Sequence, residues 1–160
     1  MPSSHRWFPI LPLAVASLTF TWQGFSQEKS PPKIVFVCEH GAAKSVMAAA
    51  ELERIAKERG LRVIAVARGS NPEPEISPLV RKELKAAGMD LGAAKPSKVS
   101  TEDLRGATRV VSFGPDLSTL VPKGTTILDW SATPSPGQNY SASRQYILKQ
   151  LEEILAGLPK

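Results

Sequence analysis

The feature that most constrains this chain is an apolar run that ends on its only cysteine. Residues 33–38 read KIVFVC, and no other cysteine occurs among the 160 residues. A continuous apolar run of this length is typical of a parallel strand buried on both faces. Small and polar residues follow, and from Ser45 the apolar residues take helical spacing. The sequence therefore predicts a single thiol, Cys38, at the carboxyl end of a strand and just before a helix.

Strand and helix patterns alternate along the rest of the chain. Further strands are predicted at 61–70, 108–113 and 125–130. Helices are predicted at Ser45–Arg59, ending at Gly60; at 77–88, with Ser77 as N-cap, Pro78 at the first position and Gly88 as stop; at 100–106, from a capping pattern; and at 143–158. This alternation predicts an α/β fold, a parallel sheet with helices on both faces. Ligands of such sheets bind at the carboxyl ends of the strands, where Cys38 lies.

The first 32 residues differ in composition from this domain. Residues 7–27 carry no charge, and Pro9 and Pro12 interrupt an apolar run that is short for a membrane span. Small residues precede a possible cleavage site after Ser26. The pattern therefore predicts a signal peptide at 1–26, and the alternative is an uncleaved N-terminal anchor. Residues 27–32 are then a spacer and 33–158 the folded domain. We expect an exported protein, periplasmic or secreted, with no membrane contact once the signal is removed.

The net charge and the small number of possible metal ligands limit which partners the sequence predicts. The formal net charge is +5, which suits an anionic ligand, but the basic residues are scattered, so no nucleic-acid partner is predicted. One cysteine and two poorly placed histidines, His5 and His40, predict neither a metal site nor a disulfide within the chain. No cofactor is expected.

Residues 38–45, CEHGAAKS, have the composition of an anion-binding loop. A tight turn between strand and helix directs backbone N–H groups inward, and the helix N-terminus adds its own. Gly41, Ala42 and Ala43 leave room for the turn. The same N–H groups stabilise a thiolate, which predicts Cys38 as a nucleophile. A buried structural cysteine is the alternative.

Two side chains complete this predicted loop. Ser45 can donate a hydrogen bond to the thiolate, and Lys44 adds positive charge. A nucleotide-binding P-loop is excluded, because Cys38 and Ala43 stand where that motif requires glycine.

The segment IVFVCEHGAAKSVMA resembles the active-site loop of low-molecular-weight protein tyrosine phosphatases and of their relatives, the thioredoxin-coupled arsenate reductases. That family has Cys, five residues, Arg, then Ser or Thr. Later segments are also similar to it: ARGS at 67–70, the stretch 76–100, RVVSF at 109–113, and ILDW with the following SPG. The resemblance extends from Lys33 to about Leu155.

The resemblance implies a three-layer sandwich around a four-stranded parallel sheet, flavodoxin-like. It also implies a cysteinyl-phosphate intermediate on Cys38. Lys44, Ser45 and an acid assist catalysis, and residues Glu39, His40, Gly41, Ala42, Ala43 and Lys44 bind the anion. The partner is a phosphorylated protein, a small phosphate ester or another tetrahedral oxyanion.

The chain departs from the family pattern at three places. Lys44 replaces the arginine, which exchanges a planar two-pronged donor for a point charge. Ser135-Pro136 or Thr133-Pro134 replaces the usual Asp-Pro acid; Asp129 can substitute if the loop folds over, or it is a strand-end residue that bonds locally. The resolving cysteines of the reductases are missing.

Three functions follow from these departures. The first is weak hydrolysis of phosphate monoesters. The second is a catalytically lost oxyanion-binding module, and the third is arsenate reduction with an external thiol. Export disfavours the third, because reducing partners are scarce outside the cytoplasm.

Overall fold

A four-stranded, entirely parallel sheet forms the centre of the computed structural model, which describes residues 30–158. In spatial order the strands are β2, β1, β3 and β4. Their bounds are β1 Lys33–Cys38, β2 Ile64–Gly69, β3 Arg109–Ser112 and β4 Ile127–Asp129. The predicted signal peptide and the first half of the spacer, residues 27–29, lie outside the described residues.

Helices cover both faces of the sheet, so the predicted three-layer α/β fold is confirmed. The helices are α1 Lys44–Glu58, α2 Pro78–Ala86, α3 Thr101–Leu104 and α4 Tyr140–Ala156. Phe36 and its neighbours pack against α1, α2 and α4 on one face. Val35 and Val37 pack on the other face against the short α3 and the loop around Leu117. No helix within residues 30–158 is long and apolar enough to cross a bilayer.

The glycines and capping residues at the helix ends largely match the prediction. Gly60 and Gly88 follow α1 and α2 with φ of 64° and 82°, a left-handed conformation that glycine adopts without strain. At the start of α3, where a capping pattern was predicted, Ser100 and Asp103 form a reciprocal capping pair. Ser77 occupies the N-cap position of α2, but its side chain makes no capping hydrogen bond.

The start of α4 differs from the prediction. The helix begins at Tyr140, three residues before the predicted Ser143. The side chain of Asn139 accepts a hydrogen bond from the Ala142 amide at 2.9 Å, so Asn139 rather than a later residue is the cap. The helix therefore takes in residues that the sequence pattern assigned to a loop.

Candidate active site

Cys38 lies where the sequence predicted, as the last residue of β1 and next to the loop that leads into α1. Its side chain belongs to the cluster of the α1 face and the residue is 7% exposed. Its Sγ lies 3.1 Å from the Oγ of Ser45, a residue with no exposed surface. A serine hydroxyl can rotate to donate to the sulfur, so this contact stabilises a thiolate.

The loop after Cys38 is held by backbone hydrogen bonds from residues 70–77, the segment that follows β2. Four loop carbonyls accept hydrogen bonds from amides of that segment at 2.8–3.0 Å: Cys38 from Ser70, Glu39 from Asn71, His40 from Glu73 and Ala42 from Ser77. The sequence analysis did not identify this segment, because nothing in its residue types indicates what it contacts.

These four bonds determine where the loop amides point. Every peptide bond among the described residues is trans, so each carbonyl lies antiparallel to the N–H of the next residue. With the carbonyls directed at residues 70–77, the N–H groups of Glu39, His40, Gly41 and Ala43 are directed away from that segment. No amide of residues 39–45 donates to an acceptor within residues 30–158. Unpaired amides of one loop are the donors that bind a tetrahedral oxyanion.

The turn depends on a close approach of two glycines. Gly41 has φ of 62°, a conformation that disfavours other residues. A Cβ at Gly41 would lie 2.9 Å from the Gly69 nitrogen, and a Cβ at Gly69 would lie 2.7 Å from the Gly41 nitrogen. The absence of a side chain at the end of β2 therefore lets the loop close, a role that the sequence analysis missed for Gly69.

The N-terminus of α1 adds to the positive potential. Lys44 is its first residue, and the N-cap, Ala43, has no side chain that can satisfy the first amides. The first turn carries no acidic residue, so the positive end of the helix dipole is not neutralised locally. The ion pairs found within residues 30–158 do not include Lys44.

Glu39 and His40 are the exposed members of the loop. The imidazole is 50% exposed and lies between two carboxylates. Its Nδ1 is 3.7 Å from an oxygen of Glu73 and its Nε2 is 3.9 Å from an oxygen of Glu39. Both distances exceed that of a hydrogen bond, so the imidazole donates none to either carboxylate.

Asp129, the predicted substitute acid, is not brought to the loop. Side chains alternate along β4, with Leu128 on the face of Cys38 and Ile127 on the opposite face, so Asp129 leaves the sheet on the face opposite Cys38. Its carboxylate accepts a hydrogen bond from the Ser131 amide at 2.8 Å, which lowers the pKa of Asp129. A carboxyl with a lowered pKa is ionised at neutral pH and is a poor proton donor.

Two hydroxyl residues, Thr133 and Ser135, stand at the family's acid position, and hydrogen bonds hold both within the β4–α4 loop. Thr133 is buried and donates its hydroxyl hydrogen to the Trp130 carbonyl at 2.7 Å. Ser135 is exposed, and its carbonyl accepts from the amides of Gln138 and Asn139 within the turn that precedes α4. Both residues act within their own loop.

This chain is similar to proteins of known family. The family model described as low molecular weight phosphotyrosine protein phosphatase matches residues 33–120. A Halobacterium salinarum protein provisionally named an arsenate reductase is 28% identical over 118 residues, which is 72% of this chain and 83% of that protein.

Solved structures give the same result. The thioredoxin-dependent arsenate reductase of Corynebacterium glutamicum superimposes with a TM-score of 0.66 at 28% identity, over 79% of this chain and 62% of that one. The low molecular weight protein tyrosine phosphatase from T. tengcongensis superimposes with a TM-score of 0.70 at 18% identity, over 79% and 99%, a likeness of fold. The resemblance inferred from the sequence is thus confirmed: this chain belongs to the low molecular weight phosphotyrosine protein phosphatase family.

Proposed function

We propose that the protein hydrolyses phosphate monoesters through a cysteinyl-phosphate intermediate. The observation that carries this proposal is the loop of residues 39–45, whose amides donate to no acceptor within residues 30–158 and, for Glu39, His40, Gly41 and Ala43, point away from segment 70–77. Such amides hold the three equatorial oxygens of a phosphoryl group. Membership of a family that acts on phosphorylated substrates supports a phosphate-containing partner.

The proposed reaction has two steps. The Cys38 thiolate attacks phosphorus, so an S–P bond forms while the P–O bond to the leaving group breaks. Water then attacks phosphorus, the S–P bond breaks, and inorganic phosphate leaves. Ser45 stabilises the thiolate in both steps through the 3.1 Å contact. Lys44 and the loop amides stabilise the negative charge on the transferring group.

Turnover of p-nitrophenyl phosphate tests the proposal, because this leaving group departs with little help from an acid. We expect slow turnover that is lost in Cys38→Ser. Phosphate should also protect Cys38 from alkylation. Protection without turnover in the correctly folded protein would instead assign a binding module, and absence of both would leave Cys38 a structural residue.

A second candidate is arsenate reduction with an external thiol. It is favoured by two relatives at 28% identity that carry the name arsenate reductase. In this reaction Cys38 forms a thiol–arsenate adduct, and a small external thiol must supply the electrons, since the chain has no second cysteine. It requires arsenate-dependent oxidation of added glutathione that disappears in Cys38→Ser; without such oxidation this candidate is excluded.

A further inference from the structure

Gly69, the last residue of β2, is held in place by backbone hydrogen bonds from residues 97–99. Its amide donates to a carbonyl of that segment at 2.9 Å, and its carbonyl accepts from the Val99 amide at 2.8 Å. On its other side, Gly69 contacts the turn at Gly41 so closely that a Cβ on either glycine would lie within 3 Å of the other's nitrogen. Because closely packed groups transmit displacements, a shift of Gly69 shifts the Gly41 turn, on which the direction of the loop amides depends.

One carboxylate, that of Asp103 in α3, joins the residues on both sides of this bridge. Its Oδ1 accepts a hydrogen bond at 2.7 Å from the guanidinium of Arg68, the residue before Gly69. Its Oδ2 accepts from the Ser100 amide at 2.9 Å and from the Ser100 hydroxyl at 2.8 Å. Because Ser100 directly follows Val99, these bonds and the chain between them form a closed ring around Gly69.

The charged pair in this ring is shielded and well oriented. The side chains of Arg68 and Asp103 are 28% and 16% exposed, so water competes little for their hydrogen bonds. The guanidinium also donates to the carbonyl of Ala67 at 2.9 Å, which fixes the plane of the donor from a second side. The pair therefore holds β2 and the start of α3 at a defined separation.

We propose that Asp103 is a positioning residue for the Cys38 loop: with Arg68 it fixes Gly69, and Gly69 fixes the Gly41 turn. The hydrogen bonds of Asp103 found within residues 30–158 reach only Arg68 and Ser100, so its effect on the loop passes through the backbone. Residues that support a site from outside in this way keep its donors preorganised. The inference rests on the proposed function, because the loop that Asp103 positions is the one that would bind the phosphoryl group.

Protection of Cys38 from iodoacetamide by inorganic phosphate tests the inference, because it measures anion binding by the loop without requiring turnover. In Asp103→Asn, the amide offers one acceptor oxygen in place of two, so it cannot hold both Arg68 and Ser100. We expect the phosphate concentration that gives half-protection to rise roughly tenfold, because small displacements of preorganised groups are costly.

Arg68→Met opens the ring at its other charged side chain and should give a similar rise. The double variant should be no worse than either single variant, because both substitutions open the same ring. This second variant also keeps the test decisive if Asp103→Asn folds poorly.

Arg144→Met is the matched control for stability. It breaks a pair between α1 and α4 on the other face of the sheet, so the protein loses stability but should keep the half-protection concentration of the unmodified protein. Glu102→Gln, which removes the carboxylate next to Asp103, should also leave that concentration unchanged.

An unchanged half-protection concentration in both Asp103→Asn and Arg68→Met, or an equal rise in Arg144→Met, overturns the positioning role. Protection without turnover of p-nitrophenyl phosphate contradicts the proposed hydrolysis alone. Absence of protection in the unmodified protein overturns the role of Asp103 together with the anion-binding loop.

Discussion

Lys44 and Ser45 are neighbours in sequence but lie in different environments. Ser45 is fully buried and contacts the sulfur, so its position is determined by packing. Lys44 is half-buried at the start of α1, and its ammonium is a compact charge with no fixed orientation. An arginine at this position would offer two parallel donors to a phosphoryl group. In the proposed hydrolysis, the residue at position 44 would therefore determine how well the loop stabilises the charge on the phosphoryl group.

Replacing Lys44 with arginine should raise kcat/KM for p-nitrophenyl phosphate by roughly two orders of magnitude, because a good charge-assisted contact in the transition state is worth a few kcal/mol. Steady-state kinetics measure the change. Lys57→Arg, on the exposed side of the same helix, is the control and should have no effect. An unchanged rate in Lys44→Arg would mean that the side chain at this position does not contact the phosphoryl group.

Two helices, α1 and α4, are joined by charged pairs of unequal burial. Glu51 of α1 has no exposed surface and accepts hydrogen bonds from Arg54 at 2.9 Å and from Arg144 of α4. Arg59, at the end of α1, bonds Glu152 of α4 at the surface. Removing one partner of a buried carboxylate leaves the cost of its desolvation uncompensated and destabilises the fold. A surface ion pair contributes little to the free energy of unfolding.

Arg144→Met should therefore lower the free energy of unfolding by about 2 kcal/mol, since Glu51 keeps only Arg54. Denaturant titration measures the difference. Arg59→Met breaks a pair of the same chemistry between the same helices and should change stability very little. If both variants lose stability equally, burial of Glu51 is not what distinguishes the two pairs.

The capping pair of α3 makes a contribution to the stability of the fold that depends on pH. Partial burial tends to raise the pKa of Asp103, but hydrogen bonds from Arg68 and Ser100 outweigh it and lower the pKa below its ordinary value of 3.8. A carboxyl with a lowered pKa stabilises the fold while it is ionised. Its contribution is complete at neutral pH and is lost as the pH falls through the lowered pKa.

Asp103→Asn should cost about 1–2 kcal/mol of unfolding free energy at pH 7, from the lost cap and ion pair. The difference from the unmodified protein should shrink as the pH is lowered below 3.8. Glu102→Gln, which removes an exposed carboxylate from the adjacent position, should change stability little at pH 7. A difference that stays constant down to acid pH would contradict the role of the ionised Asp103.

At the scale of the whole molecule, the strand order brings the parts of the site together. β1 lies between β2 and β3, so Cys38 ends a central strand and the segment after β2 lies beside its loop. Asp129 ends the far edge strand, two strands from β1, or roughly 10 Å away at a spacing of about 4.8 Å. The topology thus places residues 70–77 against the Cys38 loop and Asp129 two strands away from it.

We propose that the protein is exported, because residues 1–26 have the composition of a signal peptide. In a bacterial host the protein should be recovered outside the cytoplasm with Gln27 as its first residue, which N-terminal sequencing determines. Arg6→Glu should delay export, since it removes positive charge from the region before the apolar run. Recovery of the full chain in the cytoplasm would contradict export.

The sequence by itself determined the order of elements, the α/β class and the place of Cys38. Apolar periodicity and capping residues such as Ser100 act between near neighbours along the chain, so they are readable without a fold. The contact of Gly41 with Gly69, the bonds from residues 70–77 and the carboxylate of Glu73 beside His40 were decided by tertiary structure alone. These contacts depend on which strands are adjacent in the sheet, and local patterns carry no information about that order.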